Sequence, residues 1–146
     1  MFRGQFIHAV DAKGRVSLPS RFREAFGAGE VIVTPALFDP CLHVFPLAAW
    51  EALEQKVAAL PSLDPHIVRF RRLYISAAVE CELDKAGRVL VPQHLREHGQ
   101  LERDVLCAGM GPHLELWSKS RWDQALLIDP QEEQSFKQAV LEQIKI

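Results

Sequence analysis

Polar and apolar residues alternate with a period of two at two places in this chain. Val79, Cys81 and Leu83 are interleaved with Glu80, Glu82 and Asp84, and Phe6, His8 and Val10 stand in the same register upstream. That period predicts two half-buried strands. Each run flows into an Asp-x-x-Gly segment, Asp11 to Gly14 and Asp84 to Gly87. The spacing predicts a type I turn with Asp at its first position and a left-handed glycine that forms a G1 bulge. Asp11 and Asp84 would accept hydrogen bonds from turn amides, and Gly14 and Gly87 would supply the positive φ. Return strands over Val16–Leu18 and Val89–Val91 should end at Pro19 and Pro92. Each proline can open a short helix that Gly27 and Gly99 would close.

Helical periodicity takes over between and after these hairpins. Leu47, Trp50, Leu53, Val57 and Leu60 trace one apolar face that Pro61 stops. Asp64-Pro65 supplies a capping residue and a first helical position. Along the helix it starts, Ile67, Phe70, Tyr74 and Ala77 should face inward, with Arg69, Arg72 and Ser76 outward. Asp129-Pro130 predicts another helix start, with Phe136, Ala139, Val140 and Ile144 on one side.

The chain is written twice. Asp11–Glu24 aligns with Asp84–Glu97 at an offset of 73, and after a one-residue slip Pro40, Leu42, Val44 and Trp50 align with Pro112, Leu114, Leu116 and Trp122. Each copy predicts a hairpin, a short helix, two more strands and a helix. The organisation expected is a first domain at residues 5–51, a helical connector at 52–77, a second domain at 78–123 and a helical tail at 124–146. Units this small rarely hold a core alone, so the copies should pack together.

Composition narrows the class. Of 146 residues, 48% are hydrophobic and 25% charged, with a formal charge of −2, which suits a folded globular chain. No run reaches the ~20 apolar residues of a membrane span. Residues 1–8 lack the apolar core of a secretory leader, which makes the cytosol the expected compartment. Cys41, Cys81 and Cys107 are too widely spaced for a Cys-x-x-Cys motif and read as reduced core residues, with no metal or cofactor expected. Residues 1–73 carry a net +2 and residues 74–146 a net −4. Nucleic acid could therefore be held only by a local basic patch. One exists at the start, where Arg3, Lys13, Arg15, Arg21 and Arg23 are opposed only by Asp11 and Glu24 within residues 1–24.

The first hairpin tip is the main chemical candidate. A two-stranded ribbon fits the DNA major groove, and an Arg side chain bonds bidentately to guanine, with ~1–3 kcal/mol of discrimination per contact. Arg15 should project outward because Val16 and Leu18 have the stronger claim on the core. Lys13 and the open amides around Gly14 suit a phosphate. The competing reading is that Asp11 and Arg15 pair only to brace the hairpin. The second tip, Lys85 and Arg88, follows Glu80 and Glu82 and is the poorer anion site.

Other candidates have plainer explanations. Asp11 and Asp84 as an acid/base pair are already accounted for by the turns. His94 and His98, four apart on one helix, lack a third ligand of fitting spacing. His8 reads as a core histidine. Arg69, Arg71 and Arg72 read as a solvated face or as partners of Glu132 and Glu133. The Phe136–Ile144 stripe reads as packing within or between subunits.

The residues carrying these readings resemble the MraZ family of bacterial transcriptional regulators: Met1-Phe2-Arg3-Gly4, Asp11-Ala-Lys-Gly-Arg15 with Pro19 and Arg23-Glu24, and Leu83-Asp-Lys-Ala-Gly-Arg88 with Pro92 and Arg96-Glu97. The resemblance spans essentially the whole chain, with Val10 and Val16 where the family commonly has Leu. It implies an α+β, β-rich fold of two tandem SpoVT/AbrB-like swapped-hairpin halves forming one pseudo-dimeric barrel with flanking helices. It also implies homo-oligomeric rings of about eight to twelve subunits. Such rings would bind double-stranded DNA at promoter direct repeats and repress the division and cell-wall operon that contains the gene, placing the protein in the cytoplasm at the nucleoid. The residues carried over are Arg15, Lys13 and Gly14, with Arg3 in support from local charge and Arg88 and Lys85 as a possible second tip. The alternative is a structural or interaction protein, an antitoxin-like partner binder or a ring scaffold. A small-molecule enzyme is a third reading, not expected, which the lack of a pocket with converging polar groups would exclude.

Overall fold

The computed structural model describes residues 1–27 and 30–145. Each copy contributes four strands. The first has β1 (Gln5–Ala9), β2 (Arg15–Ser17), β3 (Glu30–Pro35) and β4 (Leu42–Pro46); the second has β5 (Val79–Glu82), β6 (Arg88–Leu90), β7 (Asp104–Gly109) and β8 (Leu114–Ser118). Helices α1 (Ser20–Phe26) and α4 (Gln93–Gly99) follow the two hairpins. Helices α2 (Leu47–Ala58) and α5 (Lys119–Ala125) close each copy, and α3 (Pro65–Phe70) and α6 (Glu133–Ile144) complete the set. The fold is α+β with antiparallel pairing throughout the described strands.

Pairing interleaves the copies. The six-stranded sheet runs β1-β7-β8-β4-β3-β5, an order that is unchanged when the two copies are exchanged. The first strand of each copy leaves its own sheet and pairs with the third strand of the other: Phe6 opposite Cys107, and Cys81 opposite Val31. Strands β2 and β6 form a separate ribbon centred on Val16 opposite Val89.

Burial follows these layers. Val16, Leu18, Val89 and Val91 of the ribbon, with Phe22 and Leu95 of α1 and α4, pack on one face of the sheet against Val33, Val44, Val105 and Leu116. The opposite face carries Ile32, Phe45, Trp50 and Tyr74 beneath α2 and α3, and Cys41, Trp117 and Trp122 beside α5. Being covered on both sides, β3 and β7 are near-continuous apolar runs rather than alternating ones.

Most local expectations hold, with instructive shifts. Asp64 caps α3 by accepting from the His66 amide at 2.8 Å, with Pro65 at the start. Residues Arg71–Ile75 continue it as a π-helical turn that periodicity did not foresee. Pro19 and Pro92 occupy the cap positions of α1 and α4 rather than their first turns. Gly27 ends α1 with φ 61° as expected, but Gly99 is the last helical residue of α4, and Gln100 takes the left-handed cap at φ 51°. A side chain at 99 would crowd Leu42 and Leu101, so packing takes that glycine and the cap falls to the next residue.

The tail departs furthest. Asp129 and Glu132 close a turn, and α6 begins only at Glu133. Its stripe is largely uncovered: Phe136 is 51% exposed and Ile144 61%, with only Val140 half-buried. Glu133 pairs with Lys137 of its own helix, and no ion pair joins it or Glu132 to Arg69, Arg71 or Arg72 among the described residues.

Candidate nucleic-acid interface

Both hairpin tips are built by the same local chemistry. The Gly14 amide donates to the Asp11 carbonyl at 3.0 Å and the Asp11 amide to the Arg15 carbonyl at 3.0 Å, with Gly14 at φ 85°. The second tip repeats this with Gly87 donating to Asp84, Asp84 to Arg88, and φ 75° at Gly87. Asp11 Oδ1 accepts from the Lys13 and Arg15 amides, both at 2.9 Å. Asp84 Oδ1 accepts from the Ala86 and Arg88 amides in the same way.

The arginines are braced by the same carboxylates. Arg15 Nε donates to Asp11 Oδ2 at 2.6 Å and Arg88 Nε to Asp84 Oδ2 at 2.8 Å. The Arg15 amide, with help from its guanidinium, draws the Asp11 pKa down to about 2 against a smaller opposing effect of burial. The Arg88 amide lowers Asp84 likewise. Bracing and binding are therefore compatible. Asp11 takes the inner Nε of Arg15, while no hydrogen bond engages its two terminal amino groups among the described residues. Those are the pair that a guanine edge requires.

The tips lie side by side and lock each other. Arg88 Nη1 stands 3.9 Å from Asp11 Oδ2. The Leu18 amide donates to the Gly87 carbonyl at 3.0 Å and the Val91 amide to the Gly14 carbonyl at 3.1 Å. Arg23 lies over Gly87 and Arg96 over Gly14, where a Cβ would meet Arg96 Cζ at 2.6 Å. Each of these arginines also donates Nε to a backbone carbonyl of its own copy at 3.0 Å, Arg23 to Leu18 and Arg96 to Val91.

Three expectations change here. Gly14 is buried and its amide is already donated, so it shapes the tip instead of offering a free N–H to phosphate. Arg23 is engaged with the opposite tip rather than free for an anion. Arg3 precedes β1, with its backbone against Gly109. The five residues of β1 separate it from the turn that begins at Asp11. The local charge count grouped residues that the fold separates. Lys13 and Lys85 are exposed at their tips, and Arg15 and Arg88 half-exposed.

Two cations near the first tip were missed. Arg96 reaches it from the other copy, and exposed Arg103 accepts the Val10 amide on its carbonyl at 2.9 Å. Only strand exchange brings them there. The second tip instead lies beyond a strand pair that sets Glu30 opposite Glu82. His94 and His98 are exposed on α4, and His8 is half-buried rather than core. The three cysteines are free and buried.

Known sequences match this chain across both of its copies. A family model described as "MraZ protein, putative antitoxin-like" matches residues 1–73 and again residues 74–143. The chain belongs to the MraZ family. A protein from Heliobacterium modesticaldum named "Transcriptional regulator MraZ" is 47% identical over 124 residues, 85% of each chain. Namesakes from Desulfitobacterium hafniense and Carboxydothermus hydrogenoformans are also 47% identical, over 122 and 123 residues and 84% of this chain. The two MraZ matches divide at residue 73, in step with the offset between the tips.

Two negative expectations also meet the structure. No described helix is long and apolar enough to cross a membrane. A cavity of about 700 Å³ is present, with His43, Tyr74, His113 and Glu115 among its lining residues. The lack of a polar-lined pocket therefore cannot be used to exclude small-molecule chemistry.

Proposed function

We propose that this protein is a sequence-specific DNA-binding transcriptional regulator, not an enzyme, that represses the promoter of its own division and cell-wall operon. The observation that carries this reading is the state of Arg15. Asp11 holds its Nε at 2.6 Å, which orients the guanidinium, and its outer amino groups face no competing acceptor among the described residues. Lys13 contacts phosphate beside it, with Arg96 and Arg103 adding positive potential. The relatives named "Transcriptional regulator MraZ" support the regulatory part of this reading.

The reading extends to the assembly. The two copies, residues 5–51 and 78–123, form a pseudo-dimeric swapped-hairpin barrel flanked by the connector at 52–77 and the tail at 124–146. A single tip offers few cations and binds weakly. A homo-oligomeric ring of about eight to twelve subunits presents many tips to direct repeats, and each bound repeat raises the effective concentration for the next. Occupancy in register then hides the promoter from polymerase in the cytoplasm, at the nucleoid. Arg88 and Lys85 contribute less, because β5, which leads into that tip, carries Glu80 and Glu82, with Glu30 opposite Glu82.

A gel shift at physiological salt with DNA from upstream of the gene tests this. Retarded, sequence-dependent complexes that weaken steeply with added salt are expected. No shift would overturn the proposal. It would favour the second reading, an antitoxin-like partner binder or ring scaffold that uses the uncovered apolar side of α6.

A further inference from the structure

The fold brings a second chemically distinctive group together on the opposite face of the sheet from the tips. Strands β4 and β8 are the middle pair, one from each copy, and His43 lies opposite Glu115. The offset of 72 between these segments makes His43 and Glu115 equivalent positions, and Cys41 the equivalent of His113. Cys41-x-His43 and His113-x-Glu115 thus meet at the central seam between the two copies. The donor atoms of Cys41, His43 and Glu115 lie within 4.8 Å of one another. His43 Nε2 is 3.1 Å from Glu115 Oε2, and the rings of His43 and His113 are 4.4 Å apart.

We propose that Cys41, His43 and Glu115, with His113 beside them, form a binding site for a thiophilic divalent cation of the zinc type. The donor set selects the ion. A thiolate, an imidazole and a carboxylate suit tetrahedral zinc, whereas magnesium and calcium prefer oxygen alone. Two ligands bonded to zinc at ~2.0–2.1 Å stand a little over 3 Å apart, which the His43–Glu115 pair already satisfies. Thiolate and carboxylate together neutralise a dication, so the loaded site buries no net charge.

The outer partners are in place as well. His43 Nδ1 is 2.5 Å from the Tyr74 hydroxyl, and the Trp117 indole donates to Glu115 Oε1 at 2.9 Å. These contacts leave Nε2 and Oε2 as the ligating atoms, each steadied through its other polar atom, as metal ligands commonly are. Cys41 is fully buried, and its thiol has no hydrogen-bond partner among the described residues. The His113 ring lies beside that of His43 and lines the same cavity. On binding, the thiol proton leaves to solvent, and the single ring proton of His43 sits on Nδ1, donated to Tyr74. The cavity of about 700 Å³ that His43, His113 and Glu115 line supplies the entry path and room for a fourth ligand.

Cobalt(II) titration of chelator-treated protein tests the site. The expected result is a thiolate-to-cobalt charge-transfer band in the near ultraviolet, with ligand-field bands of tetrahedral intensity, both displaced by Zn²⁺. Cys41→Ser should abolish the charge-transfer band and Cys107→Ser should keep it. Glu115→Gln, which preserves shape, should weaken Zn²⁺ binding at least tenfold, and Tyr74→Phe by about tenfold. Zn²⁺ should raise the Tm of wild type but not of Cys41→Ser. A folded wild-type protein that gives no thiolate band, or a band that survives Cys41→Ser, would overturn the proposal.

Discussion

Val16 faces Val89 across the two-stranded ribbon, seventy-three residues apart in the chain, and both are essentially fully buried. The pair sits on the pseudo-twofold that relates the copies. Around it the locking contacts come in matched pairs: Leu18 to Gly87 and Val91 to Gly14, Arg23 over Gly87 and Arg96 over Gly14. The ribbon that presents the tips is also the clasp between the halves.

That clasp predicts a coupling between Gly14 and Arg96. Gly14→Ala places a side chain at φ 85° and against the Arg96 guanidinium, and should destabilise the fold by about 1–3 kcal/mol. Removing Arg96 relieves the collision but not the backbone strain. Chemical denaturation of Gly14→Ala, Arg96→Ala and the double variant should therefore show a smaller Gly14→Ala effect when Arg96 is absent. Strictly additive losses would contradict the packing.

How much of this was legible beforehand depended on the range of each interaction. The turns depended on Asp11, Gly14, Asp84 and Gly87, all within four residues, and the Asp64 cap was equally local. Strand alternation told which side of β1 and β5 is buried but not which strand they join, because Phe6 satisfies the same pattern against any apolar partner. Exchange of β1 and β5 was therefore visible only as a family resemblance. The roles of Arg96 and Arg103 were invisible for the same reason. Arg3 was misplaced because nearness in sequence along an extended strand is separation in space.

Acid should act in two windows. His113 has its pKa lowered to about 4 in the fold against an ordinary 6.5, so the unfolded chain binds more protons between those values. Stability should fall as pH drops from about 6.5 to 4, and His113→Asn should flatten that limb. Asp11, lowered to about 2 from 3.8, contributes stability above pH 3.8 that is lost as pH falls through 2. Denaturation midpoints measured against pH check both; an unchanged limb in His113→Asn would refute the first.

The tail should be dispensable for folding. The described residues of α6 are exposed apart from half-buried Val140, so deleting residues 130–146 should change unfolding free energy by no more than about 0.5 kcal/mol. Thermal and urea denaturation of the shortened chain measure this. A large loss would mean that α6 packs on the domain.

Avidity predicts a dependence on repeat number. Deleting one promoter repeat should cost far more than the ~1–3 kcal/mol of a single mismatched base pair. Titrations against duplexes with one and with several repeats decide this, and equal affinities would count against ring-based recognition.

The most direct measurement is fluorescence anisotropy of a duplex from upstream of the gene, titrated at physiological salt with wild type, Arg15→Ala and Arg88→Ala, with size-exclusion profiles alongside. Arg15→Ala should lose specific binding while keeping fold and assembly, because the half-exposed pair with Asp11 adds little stability, and Arg88→Ala should lose less. Wild-type affinity in Arg15→Ala, or its failure to fold or assemble, would contradict the account.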